Sequence, residues 1–352
     1  MEGAGRARRV SYTFAKTGNG MKKVVWGVLS TARIGLQRVV PGMQKSAWCD
    51  IRAIASRSEV TARKAADQLG IAKAFGSYDE LLADPDIEAI YNPLPNHLHV
   101  PLTLRAAAAG KHVLCEKPIA LTAAEAEQLK SAAAKVLIME AFMVRFHPQW
   151  LRALELVRSG SIGTLRAVHM LFCYSNTDAA NIRNIADIGG GALYDIGCYA
   201  ITAGRFFFGA EPLRGIALID RDEKFRTDRL TSALVDFGEG RQLNFTVSTQ
   251  CTPYQRVQLC GTRGRVEIQI PVNAPQGAKT KLFIDDGSSL AGDGIRTEVV
   301  PESDQYMLQG EMFSRAVRGE IKLPYGIEDA VRSMRVIDAL FRSEQSQRWE
   351  SV

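Results

Sequence analysis

The sequence predicts an α/β fold: a doubly wound parallel sheet in the N-terminal part, then an α+β domain built on a mostly antiparallel open sheet. Two observations carry this. From Lys22 to about Phe142, short apolar, β-branched runs alternate with helical stretches of crossover length, the pattern of parallel strands joined by helices. Beyond residue 150 the strands lengthen, their residues alternate apolar and polar, and glycine-containing turns join some of them, as in an antiparallel sheet with one buried face.

KKVVWGVL (22–29) reads as a buried strand, and STARIG (30–35) as the turn that opens a helix running to about Lys45. IRAIAS (51–56) is the second strand, and VTARKAADQLG (60–70) a helix stopped by Gly70. YDELLAD, IEAIYNPL, LHVPLTLRAAAAG, KHVLCEK, TAAEAEQLKSAAAK and VLIMEAF continue as helix, strand, helix, strand, helix and strand. After a helix near 148–159, LRAVHMLFCYS, ALVDFGEGRQLNFTVSTQ, RVQLCGTRGRVEIQIP and KLFIDD read as alternating strands. Two of these segments turn at Gly238-Glu239-Gly240 and Gly261-Thr262-Arg263-Gly264. The expected domains are 21–145 and 146–352 with a cleft between them, and residues 1–20, basic and glycine-rich, are an expected disordered tail.

The chain has 352 residues, 46% hydrophobic and 23% charged, the balance of a folded globular protein. Its 44 basic residues are dispersed, which argues for solvated faces rather than a nucleic-acid stripe, while a net charge of +6 suits a phosphate-bearing ligand. Six cysteines stand apart (49, 115, 173, 198, 251 and 260) without a CxxC pair, so neither a disulfide framework nor a zinc site is expected. His97 and His99 form an HxH with no other histidine close in sequence, and no metal is expected. No apolar run reaches the ~18 residues of a membrane span. No apolar export segment follows Arg8-Arg9, and a cytoplasmic protein is expected.

The first strand-to-helix turn is where a Rossmann domain receives a dinucleotide pyrophosphate, on the helix N-terminus. A full GxGxxG would place glycine at 30, 32 and 35, and this chain has Ser30, Ala32 and Gly35. Small residues keep such a turn tight, and Ser30, Thr31, Ala32, Arg33 and Ile34 would offer backbone N–H groups to the phosphates. A plain strand–helix turn could look the same, but its place in the first βαβ unit favours binding. At the end of the second strand stand Ser56 and Arg57, with no acid until Glu59. A carboxylate there would repel a 2′-phosphate, whereas a hydroxyl and a guanidinium bind it, so NADP is expected ahead of NAD.

Two further stretches carry chemistry. Glu116-Lys117-Pro118 ends a parallel strand, at the sheet edge where open α/β folds bind ligands, and the Lys117–Pro118 bond could be cis. Beside an oxidised nicotinamide the Lys117 ammonium should be disfavoured and its pKa should fall. In GGGALYDIGCY (189–199), Asp195 and Tyr199 are spaced i, i+4 on one helical face, and the three glycines would let backbone approach a ligand closely. A phenol near a lysine and a carboxylate can pass a proton as hydride moves at carbon.

In order along the chain, LPNHLH (94–99), AGKHVLCEKP (109–118), GGGALYDIGCY (189–199) and DQYMLQGEMF (304–313) resemble the glucose–fructose oxidoreductase, inositol dehydrogenase and MocA family. Within it they are most similar to the branch of dimeric dihydrodiol dehydrogenases and NADP-dependent D-xylose dehydrogenases, over about residues 22–350. The resemblance implies hydride transfer between NADP and a sugar, polyol or dihydrodiol. It implies proton transfer and substrate hydrogen bonding by Lys117 and Tyr199, oriented by Asp195. It places Leu94, Pro95, Asn96 and His99 along the nicotinamide ribose, with Glu116, Lys117, Tyr78, Arg145 and Arg183 as further cofactor contacts and His147 as structural. Two other readings are an aldose–aldose oxidoreductase that holds NADP tightly and a non-catalytic cofactor-binding regulator. The short, irregular residues 1–20 speak against the first, and the retained EKP and Asp/Tyr positions against the second. Substrate choice is expected to lie in 174–188 and 250–256.

Assembly is expected to be a homodimer or homotetramer through the C-terminal sheet. Leu243, Phe245 and Val247 alternate with Asn244, Thr246 and Ser248, and Val266, Ile268 and Ile270 with Arg265, Glu267 and Gln269. One face would pack on the helix around 192–208, leaving the other for a partner.

Overall fold

Short runs of Val, Ile, Leu and Ala between helices can bury both faces only inside a parallel sheet, and here they do. The computed structural model describes residues 22–352, so the expected tail at 1–20 lies outside the described residues. Among these, β1 (Val24–Leu29), β2 (Cys49–Ala55), β3 (Lys73–Phe75), β4 (Ala89–Asn92), β5 (His112–Cys115) and β6 (Ile138–Glu140) form a six-stranded sheet in the order β3-β2-β1-β4-β5-β6. Every residue of β1 is buried, and each large aliphatic side chain so placed contributes roughly 1.5–3 kcal/mol. Gly27 sits inside β1 because a Cβ there would meet Leu81 Cδ2 at 2.7 Å. Helix Glu59–Leu69 starts on Ser58, whose side chain accepts from Thr61 N, and stops at Gly70 with φ +66°, as its sequence implies.

The second sheet has nine strands: β7 (Leu165–Ser175), β8 (Arg214–Arg221), β9 (Asp228–Asp236), β10 (Gln242–Ser248), β11 (Gln250–Gly261), β12 (Arg265–Ile268), β13 (Thr280–Asp285), β14 (Ile295–Val300) and β15 (Glu350–Ser351). Their order is β14-β13-β12-β11-β7-β10-β9-β8-β15, antiparallel except where β10 lies parallel to β7. The β9–β10 hairpin turns through Gly238, Glu239 and Gly240, all at positive φ. Leu243, Phe245 and Val247 face inward and are buried beneath helix Cys198–Phe208, where Gly204 leaves room for the Leu243 methyl. Ile270 lies beyond the end of β12 and so outside its alternation. On the outer face Leu218, Ser232, Thr246 and Leu171 form one cross-strand row, and Leu230 and Leu234 are exposed beside it.

The chain then returns to the first sheet. Helix Gln305–Val317 crosses the segment Val40–Met43 at two glycines: a Cβ on Gly42 would meet Tyr306, and one on Gly310 would meet Met43. Trp26 donates its indole N–H to Ser314 Oγ (3.1 Å) and its ring lies against Phe313. Arg318 makes a bidentate pair with Glu88 (2.6 and 2.9 Å), holding that carboxyl down at about 2. Among the described residues no helix is long and apolar enough to cross a membrane.

Candidate active site

The carboxyl edge of the parallel sheet carries the turn after β1. Ser30 occupies the position of the first expected glycine with φ +82°, a backbone that costs an L-residue roughly 1–2 kcal/mol. Its N–H donates to Ala55 O (2.9 Å) and its hydroxyl accepts from Ala32 N (3.3 Å), which fixes the turn without glycine. Thr31 and Ala32 are half-buried, and Arg33 and Ile34 exposed, at a helix start whose first N–H groups have no intrahelical acceptor. At the end of β2, Ser56 is half-buried and Arg57 is exposed, with no carboxylate paired to it among the described residues. Burial raises the Tyr78 phenol, and the nearby Arg57 charge works against that rise. An anion-receptive helix start beside a hydroxyl and an unpaired guanidinium fits a dinucleotide carrying a 2′-phosphate.

The next loop holds Leu94 buried and Pro95 and Asn96 half-buried. Asn96 Nδ2 donates to Gly189 O (2.8 Å), tying this loop to the second domain's glycine turn. His99 differs from expectation. It is buried, with its two ring nitrogens 2.7 Å from the carbonyl oxygens of Pro118 and Leu94, and burial pushes the imidazole down to about 4. It braces the 94–96 loop against the Lys117–Pro118 peptide, which is cis, rather than reaching a ribose.

Lys117 and Asp195 form the centre, their side chains only 12% and 14% exposed. Lys117 Nζ donates to the Asp195 backbone carbonyl (2.6 Å) and to its Oδ1 (3.1 Å). Asp195 Oδ2 accepts from Tyr174 OH (2.6 Å) and from Arg183 Nε (2.8 Å). Burial alone would raise the Asp195 carboxyl, but Arg183 and Lys117 hold it well below the usual carboxylate range. Burial likewise opposes the Lys117 ammonium, but Asp195, Cys198 and Glu116 together outweigh it, so Lys117 stands above the ordinary lysine range rather than below it. Glu116 turns away, accepting from Tyr91 OH (2.7 Å) and from Lys117 N (3.3 Å), with burial raising its carboxyl.

Asp195 lies in a π turn (Leu193–Gly197) rather than regular α-helix, which alters the expected i, i+4 stacking with Tyr199. Tyr199 is buried between Phe142, edge-on at 5.4 Å, and Phe172 at 6.4 Å, and Lys117 Nζ lies 5.0 Å from its ring centroid. Its hydroxyl donates to Met143 Sδ at 3.5 Å, a weak acceptor for a buried phenol.

Three further expectations change. Arg183 pairs through Nε with Asp195 Oδ2, a carboxylate partner that was not among its expected contacts, while its side chain stays 40% exposed. Arg145 is only 3% exposed, ion-paired with Asp329 and packed 4.3 Å over the Tyr325 ring, so it sits inside the protein as a structural cation. The room left by Gly190 and Gly191 is filled by the chain itself: Cβ atoms there would meet the Arg183 and Ile185 carbonyls and the Asp228 carboxylate. His147 caps helix Pro148–Arg158, its side chain accepting from Gln149 N, in the structural role expected of it. Tyr174 falls in the 174–188 stretch expected to choose substrate, but its bond to Asp195 is not implied there; Val168, Met170, Phe172 and Tyr174 are one i, i+2 series, and a polar-tipped member of an inward series is the available signal.

A family model described as an oxidoreductase family with NAD-binding Rossmann fold matches residues 24–141, and the GFO/IDH/MocA C-terminal domain matches residues 150–267. An uncharacterized oxidoreductase of Rhizobium meliloti is 45% identical over 94% of this chain and 100% of its own length. A D-xylose 1-dehydrogenase (NADP(+)) of Haloferax volcanii is 38% identical over 92% of this chain and 98% of its own. The crystal structure of a 3-ketoreductase from Actinomadura kijaniata, in complex with NADP and TDP-benzene, superposes with a TM-score of 0.85 at 28% identity, covering 92% of this chain and 98% of that one.

Proposed function

The chain belongs to the GFO/IDH/MocA oxidoreductase family, and we propose that it moves a hydride between NADP and a carbinol or carbonyl carbon of a sugar or related polyol. The buried Lys117–Asp195 pair at the carboxyl edge of the Rossmann sheet carries this reading, because it holds a charged proton donor where open α/β folds bind ligands. The Haloferax volcanii relative is an NADP(+) dehydrogenase and the Actinomadura kijaniata structure holds NADP, which supports NADP here.

When bound, the nicotinamide gives or takes the hydride. Ser30 through Ile34 would hold the pyrophosphate, Ser56 and Arg57 the 2′-phosphate, and Tyr78, Leu94, Pro95 and Asn96 would contact the rest of the dinucleotide. In the direction of reduction, Lys117 gives a proton to the substrate oxygen as its carbon becomes a carbinol, and in oxidation it takes that proton back. Asp195 keeps the ammonium charged and aimed, and is itself too acidic to serve as the base. The Tyr199 phenol exchanges its weak thioether contact for the substrate oxygen. Screening aldoses, polyols and trans-dihydrodiols with NADP, followed at the nicotinamide absorbance band, tests the reading, and no turnover with any of them rejects it.

The same reading includes a dimer or tetramer joined through the outer face of the second sheet. Leu171, Leu218, Leu230 and Leu234 are exposed there among Ser232, Asn244 and Thr246, a mixed face that a second copy would cover. Light scattering at micromolar concentration decides it: a mass matching one 38.6 kDa chain rejects the interface.

A further inference from the structure

We propose that Asp228 is a positioning residue: by capping the backbone at Leu193 it fixes the start of the helix that carries Asp195, and through Asp195 the place of Lys117. Asp228 opens β9, is 1% exposed and touches none of the reacting groups. Its Oδ2 accepts from Leu193 N (2.6 Å) and from Thr231 Oγ1 (3.0 Å). Leu193 lies in the first turn of the helical run, where N–H groups lack intrahelical acceptors and the helix dipole favours a carboxylate. A cap normally comes from the residue just before the helix. Here that stretch is Gly189-Gly190-Gly191, which has no side chains, and the cap arrives from 35 residues away.

The glycine and the aspartate are matched to each other. Gly191 has φ +120°, and a Cβ on it would lie 1.8 Å from Asp228 Oδ1, so any side chain at 191 evicts the carboxylate. The Gly191 carbonyl in turn accepts from Asp195 N (3.1 Å). Lys117 Nζ is held by the Asp195 carbonyl, a backbone atom, so its position depends on where this helix begins. Misplacement by about 1 Å can cost ~100-fold in rate when a reacting group is involved. Burial pushes the Asp228 carboxyl up to about 6, a destabilising setting for a carboxylate, and its bonds to Leu193 and Thr231 act against that rise.

Only the kinetic arm of the test rests on the dehydrogenase reading. Asp228→Ala and Asp228→Asn are compared with wild type, using D-xylose and NADP for turnover, NADPH fluorescence for cofactor binding and hydrogen exchange of the unliganded protein for the helix start. In Asp228→Ala the amides of 191–199 should exchange at least tenfold faster while β1, β2 and β4 keep their protection. Its kcat should fall about tenfold with cofactor affinity within twofold. Asp228→Asn, whose amide oxygen can still accept from Leu193, should recover kcat to within threefold of wild type. If the alanine chain does not fold, Asp228→Ser, too short to reach Leu193 in the same way, replaces it. Unchanged exchange at 191–199 overturns the cap. Unchanged kcat, equal losses of kcat and cofactor affinity, or an asparagine variant no better than alanine overturns the positioning role. A wild type inert toward D-xylose and every other sugar rejects the dehydrogenase reading and the catalytic half of this proposal, while exchange at 191–199 decides the cap.

Discussion

Lys117 reaches Asp195 twice, at its backbone carbonyl (2.6 Å) and at its carboxylate (3.1 Å). The first contact positions the ammonium, and the second keeps it charged. Asp195→Asn preserves the first and leaves an amide oxygen at the second but removes the negative charge, so the Lys117 pKa, raised by that charge, should fall. Reduction needs the ammonium form, and the alkaline limb of its kcat profile should move to lower pH in Asp195→Asn. Lys117→Met should lose ~100-fold or more of kcat with cofactor binding retained. An alkaline limb that stays in place would assign the proton to another group.

Tyr199→Phe separates a catalytic phenol from a packed one. The ring's contacts with Phe142 and Phe172 survive the change, and only a thioether loses its partner. Stability should therefore change little, while kcat falls ~10-fold or more if the hydroxyl meets the substrate oxygen. Steady-state kinetics with a melting curve on the same sample checks this. Near-normal kcat would make Tyr199 purely structural.

Cofactor preference should follow the end of β2. Ser56→Asp combined with Arg57→Ala places a carboxylate where the 2′-phosphate would sit and removes the unpaired cation. NADP affinity should fall by at least ~10-fold, with NAD spared or improved, because charged hydrogen bonds of this kind contribute roughly 1.5–3 kcal/mol. Titration of both dinucleotides by nicotinamide fluorescence measures it. Equal losses for the two would place the 2′-phosphate elsewhere.

Glu140 should make the protein less stable as pH rises. It is buried on β6, with Oε1 accepting from Ile119 N (2.8 Å) and Oε2 without a partner. Burial raises its pKa from 4.5 to about 8. The folded chain then holds a proton that the unfolded chain releases, so stability falls between about pH 4.5 and 8. Glu140→Gln removes this component, and its melting temperature should fall less steeply with pH than that of wild type. Parallel slopes would show that Glu140 ionises in the folded protein.

The parallel half was largely legible because its signal is local: each buried strand is a run of apolar residues and each helix carries its own stop, as at Gly70. β3 escaped notice because it is a three-residue edge strand, Lys73–Phe75, with every residue half-buried. TAAEAEQLKSAAAK divides into two short helices, Ala123–Glu127 and Lys130–Ala133, although its alanines favour a single one. In the candidate site, the places of Lys117 and of Ser56–Arg57 just past strand ends, and of Asp195 in a helical run, could be read from the pattern. The partners of Arg183, His99 and Gly191 could not, since each is set by a chain segment distant in sequence or by a backbone carbonyl, neither of which has a residue signature.

The indole of Trp26 finds its hydrogen-bond acceptor 288 residues later, at Ser314. Translation at ~5–20 residues per second delivers the first sheet long before the helix that covers it. For that interval Trp26, Met43 and Cys49 face solvent or a temporary cover on the nascent chain, although each is at most 3% exposed in the finished fold. A ribosome stalled near residue 300 would hold a Rossmann half with all six strands made and one side of its core still open, the state in which a chaperone has most to gain by binding.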